Sequence, residues 1–69
     1  MDTNSVFIKI KEARTDANLT QVQLGKRIGK SKQWVSELEK GNIRLSYDMA
    51  IKIANECKKE LNFFAEKVH

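Results

Sequence analysis

Lys32, Gln33, Ser36, Glu37 and Lys40 are spaced so that, at about 100° per residue, they share one side of a helix, opposite Ser31, Val35 and Leu38. Side chains of these types can bond to the edges of nucleotide bases. Glutamine pairs with adenine through two hydrogen bonds, lysine meets the acceptors of guanine, glutamate accepts from cytosine, and serine is permissive. Taken alone, the same pattern also describes an ordinary solvated helix face. Other chemistry has less support. The sequence offers no paired carboxylates, phosphate-binding loop or activated nucleophile, so no enzyme, cofactor or small-molecule substrate is expected. Cys57 is the single cysteine and His69, the last residue, the single histidine, which argues against metal binding and against Cys-His catalysis.

A helix bearing that face needs partners to hold it, and the surrounding residues mark them. Val6, Ile10, Ala13 and Ala17 form the stripe of helix 1, which is expected to start after an Asn4 or Ser5 cap and to stop near Asn18. Thr20 and Gln23 have the spacing of a capping box, opening a short helix 2 with Leu24 and Ile28 inward. Gly29 suits a left-handed corner, and Ser31 caps helix 3, expected to run to Lys40 with Gly41 and Asn42 ending it. Ser46 and Asp48 open helix 4, whose stripe is Ala50, Ile53, Ala54 and Cys57. In the tail, residues 58–69, Leu61, Phe64, Ala65 and Val68 fit a fifth helix, although Leu61 and Phe63 would also suit a short strand; the helix is favoured.

With 69 residues, 41% of them hydrophobic, 32% charged and no proline, the chain suits one helical domain spanning residues 1–69. No apolar run approaches the roughly 20 residues of a membrane span, so no membrane role is expected and the expected location is cytoplasmic. The net charge of +4 favours a polyanionic partner, and its distribution says more. Lys26, Arg27, Lys30, Lys32, Lys40 and Arg44 face only Glu37 and Glu39 in the middle of the chain, whereas Glu56 to Lys67 is balanced. Trp34, at the flank of the polar face, is read first as packing over helix 4 and second as touching a thymine methyl or a sugar. Adjacent Phe63 and Phe64 cannot both be buried by one helical face, so they suit either a dimer contact or loose packing over the core.

In order, Leu19-Thr20-Gln21-x-x-Leu24-Gly25 and Ile28-Gly29-Lys30-Ser31-Lys32-Gln33-x-Val35-Ser36-x-Leu38-Glu39-x-Gly41 resemble the Cro and phage-repressor (Xre-type) helix-turn-helix family. The resemblance covers about Val6 to Cys57. It implies an all-α, compact four- to five-helix bundle, a lambda-repressor-like DNA-binding domain whose helix-turn-helix is formed by helices 2 and 3. By this likeness Lys32, Gln33, Ser36 and Glu37 would face bases, while Gln21 would bond a phosphate and brace Gln33 or its neighbour. Lys40, Asn42 and Arg44 would be further phosphate contacts, with a merely solvated loop as the alternative for the last two. Arg14 would pair with Glu39 as a structural ion pair.

Gly25, Lys30 and Leu45 depart from the family, which more often has alanine, an apolar residue and proline there. Gly25 could supply the small residue that two steeply packed helices need where their backbones approach, but glycine is also expected to soften helix 2, and the Lys30 stem is expected to lie over the core with its ammonium reaching solvent or phosphate. The implied function is a sequence-specific transcriptional regulator, a dimeric repressor on double-stranded DNA. Its rival is a protein-interaction module on the same fold, antitoxin-like or an anti-regulator, motivated by Glu37 and the aromatic tail.

Overall fold

Hydroxyl side chains set the starts of three helices in the computed structural model, which describes residues 4–59. In chain order the helices are α1 (Asn4–Asp16), α2 (Gln21–Ile28), α3 (Lys32–Glu39) and α4 (Tyr47–Glu56). Thr20, Ser31 and Ser46 stand in extended backbone before α2, α3 and α4 and accept from the N–H groups of Gln23, Trp34 and Met49 at 3.1, 3.0 and 3.1 Å. Each satisfies a donor that a helix start leaves without a partner. At α2 the exchange is reciprocal, because the Thr20 N–H donates to Gln23 Oε1 at 2.8 Å and completes the capping box. α1 differs from expectation in its start, since the helix already includes Asn4 and Ser5.

Left-handed residues end the first two helices. Asn18 has φ 60° and Gly29 has φ 75°, and just beyond them Leu19 donates to the Arg14 carbonyl at 3.1 Å and Lys30 to the Gly25 carbonyl at 2.8 Å. α3 stops at Glu39, so Lys40, expected as its last residue, is its C-cap instead. Gly41, φ 83°, then turns the chain away.

The stripes read from the sequence converge on one core. Ile10 from α1, Leu24 from α2, Val35 and Leu38 from α3 and Ile53 from α4 are its largest fully buried side chains. Each such burial contributes about 1.5–3 kcal/mol. Phe7, Ala17, Trp34, Ile43, Leu45 and Met49 pack around this core. At Gly25 the backbones of α2 and of the turn come together: a Cβ there would stand 2.6 Å from the Lys30 carbonyl oxygen and 3.2 Å from that of Ser31. Glycine therefore admits a close approach, which offsets its poor helix propensity of up to about 1 kcal/mol against alanine.

No strand occurs among the described residues, and no helix among them is long and apolar enough to cross a membrane. The expected fifth helix and the Phe63 and Phe64 contact lie outside the described residues.

Candidate nucleic-acid interface

The polar face of α3 is held in place from behind by a buried ion pair. Arg14 Nε donates to Glu39 Oε2 at 2.6 Å and Nη2 donates to Oε1 at 3.2 Å, with the two side chains 11% and 5% exposed. Arg14 Nη1 also donates to the Leu19 carbonyl at 2.9 Å. One guanidinium thus joins α1, the loop before α2 and α3, and its planar fork makes the link directional.

Gln21, at the start of α2, donates through Nε2 to Glu39 Oε1 at 3.1 Å. The sequence reading expected a brace on Gln33 or its neighbour; the amide instead extends the Arg14–Glu39 pair towards the surface. Glu39 offers a charged acceptor already fixed by Arg14, whereas Gln33 is exposed.

Outward from this support, Lys32 and Gln33 are exposed, and Ser36 and Glu37 are half-buried. The structure brings all four together on α3. Glu37 is engaged within the chain: its Oε1 accepts from Asn42 Nδ2 at 2.9 Å, and its Oε2 lies 3.5 Å from Lys40 Nζ. The Asn42 hydrogen bond first and the Lys40 charge second hold the Glu37 carboxyl below its ordinary pKa.

The segment that carries the face is rich in cations. Lys26, Arg27, Lys30, Lys32, Lys40 and Arg44 are all exposed. Arg27 pairs with Glu56 at 3.6 Å, tying α2 to α4, while Lys26, Lys32 and Arg44 make no ion pair among the described residues. Lys30 is exposed at the turn. Its Nζ sits 5.1 Å from the centre of the Trp34 ring, one turn into α3, where the indole offers a favourable cation site beside solvent. Trp34 itself is partly buried and packs against the core.

Sequence reasoning missed three contacts here: Gln21 to Glu39, Lys30 to Trp34 and Asn42 to Glu37. A signal existed for the last, since a carboxylate and an amide five residues apart across a helix-ending glycine can meet as the chain turns. Cys57 is buried in the core, and no group of metal-binding side chains occurs among the described residues.

Compared with known families, the chain matches the one described as Helix-turn-helix over residues 10–64. It is similar to an uncharacterized HTH-type transcriptional regulator of Archaeoglobus fulgidus, with 44% identity over 46 residues, covering 67% of this chain and 65% of that relative. The match thus spans about two thirds of the relative's length. No solved structure matches the chain significantly.

Proposed function

The chain belongs to the helix-turn-helix family of Cro/Xre type, and from that premise we propose that it is a sequence-specific DNA-binding transcriptional regulator, a repressor acting as a homodimer. The observation that carries the reading is the exposed α3 face of Lys32 and Gln33, supported from behind by Arg14 and Glu39, on a segment, residues 26–44, whose lysines and arginines are all exposed. Lys32, Gln33 and Ser36 present base-reading chemistry to the major groove, with Glu37 at the edge of that face. Gln21, Lys30, Lys40, Asn42 and Arg44 serve as phosphate contacts, and the N-terminus of α2 adds to them.

Each recognition helix reads only a few base pairs. Two copies about 34 Å apart, one turn of DNA, would read a palindromic site with useful affinity, and Phe63 and Phe64 are the candidate contact between copies.

A gel shift with a salt series tests the reading. Affinity should fall steeply with salt, with a log–log slope of about −0.9 for each phosphate neutralised. Binding that ignores salt would contradict it. A tightly held protein partner combined with no DNA affinity would instead mark a protein-interaction module.

A further inference from the structure

Glu37 is joined to Asn42 twice. Asn42 Nδ2 donates to Glu37 Oε1 at 2.9 Å, and the Asn42 backbone N–H donates to the Glu37 carbonyl at 3.0 Å. Gly41, φ 83°, lies between them and turns the chain out of α3, and the exposed Arg44 follows two residues after Asn42. The backbone bond fixes the turn, and the side-chain bond fixes which way the Asn42 amide points. Lys40 closes the group at 3.5 Å from Glu37 Oε2, but an exposed pair of this kind contributes little by itself. With both carboxylate oxygens engaged and its pKa held down, Glu37 is ionised and committed at neutral pH.

We infer that Glu37 is a positioning residue: it orients Asn42, and with it the exit turn that carries Arg44, for contact with the nucleic-acid backbone, and does not itself read a base. The inference rests on the DNA-binding reading above. It also accounts for a negative charge beside a surface meant for phosphate, since that charge is spent on an internal donor and an internal cation.

Removing the charge would by itself favour phosphate binding, so the test compares two variants of equal charge. Glu37→Gln keeps an acceptor for Asn42 Nδ2, whereas Glu37→Ala does not. Binding is measured on a random-sequence duplex and on a duplex enriched by selection with the wild-type chain. Glu37→Ala should bind both about fivefold more weakly than Glu37→Gln, the worth of one hydrogen bond. Asn42→Ala in the Glu37→Gln background should reproduce that loss, and adding it to Glu37→Ala should change nothing further. Base preference at every position of the enriched site should stay the same in both Glu37 variants.

Equal binding by the two Glu37 variants, or a changed preference at one base pair, would overturn the positioning role while leaving DNA binding intact. Failure of the wild-type chain to bind either duplex would overturn the DNA-binding reading itself.

Discussion

Arg14 and Glu39, 25 positions apart in sequence, meet through two hydrogen bonds that are almost closed to solvent. The pair couples α1 to α3, and Gln21 adds a third bond to the same carboxylate. The orientation of the polar α3 face therefore depends on a charge pair within the fold as well as on the apolar contacts of Val35 and Leu38.

Loss of one member of that pair should be worse than loss of both. Arg14→Met alone leaves the Glu39 carboxylate buried beside a single amide donor, and Glu39→Leu alone leaves a buried guanidinium with only the Leu19 carbonyl. Each single change is expected to cost about 3–5 kcal/mol, and the double change less than either. Urea denaturation of the three variants checks the order; additive losses would contradict it.

Gly25 and Gly29 should respond to substitution for opposite reasons. At Gly29 nothing lies within 4 Å of an added Cβ, but φ is 75°, so Gly29→Ala should cost about 1 kcal/mol from backbone conformation alone. Gly25 has no such strain, yet its Cβ would meet the Lys30 carbonyl at 2.6 Å. Gly25→Val adds more atoms against backbone that cannot yield cheaply and should cost more than Gly29→Ala, about 2 kcal/mol or above. Denaturation midpoints compare the two.

The lowered pKa of Glu37 fixes the direction of an acid titration. A carboxyl whose folded pKa lies below its unfolded value contributes stability above the unfolded value and loses it as pH falls through the folded one. The link to Asn42 should thus persist through neutral and mildly acid pH. A carboxyl-carbon NMR titration should place the Glu37 midpoint below the ordinary carboxylate value, and Asn42→Ala, removing the largest cause, should raise it.

Cys57 should be unreactive in the folded chain. Burial first, and the neighbouring Glu56 charge second, push its thiol pKa up, against weaker pulls from Arg14, Arg27 and Lys59. A disulfide exchange reagent should label it slowly in buffer and quickly in denaturant. Equal rates would contradict the packing of this thiol.

Local signals were legible in the sequence. Thr20, Ser31 and Ser46 act on N–H groups three residues away, and Gly29 answers to its own φ, so type and spacing sufficed for helix starts and the corner. The core stripes followed from periodicity. Arg14 with Glu39 was reached only through family resemblance, because no local rule connects residues so distant in the chain. The new partners of Gln21, Lys30 and Asn42 depend on how rotamers settle once helices have packed, and periodicity carries no information about that. Gly25 reads from the sequence both as the small residue where the helix backbones approach and as a soft point of helix 2; its approach to the Lys30 carbonyl bears out the first, although propensity alone, being local, speaks only for the second.

The central claim is that the exposed α3 face reads DNA sequence. Selection from a random duplex pool by the wild-type chain, repeated with Lys32→Ala and Gln33→Ala combined, tests it most directly. The account predicts that the wild-type chain enriches a two-fold symmetric site with half-sites about one DNA turn apart, and that the double variant enriches none while keeping salt-dependent non-specific binding. Enrichment of the same site by both proteins, or of no site by the wild-type chain, would contradict it.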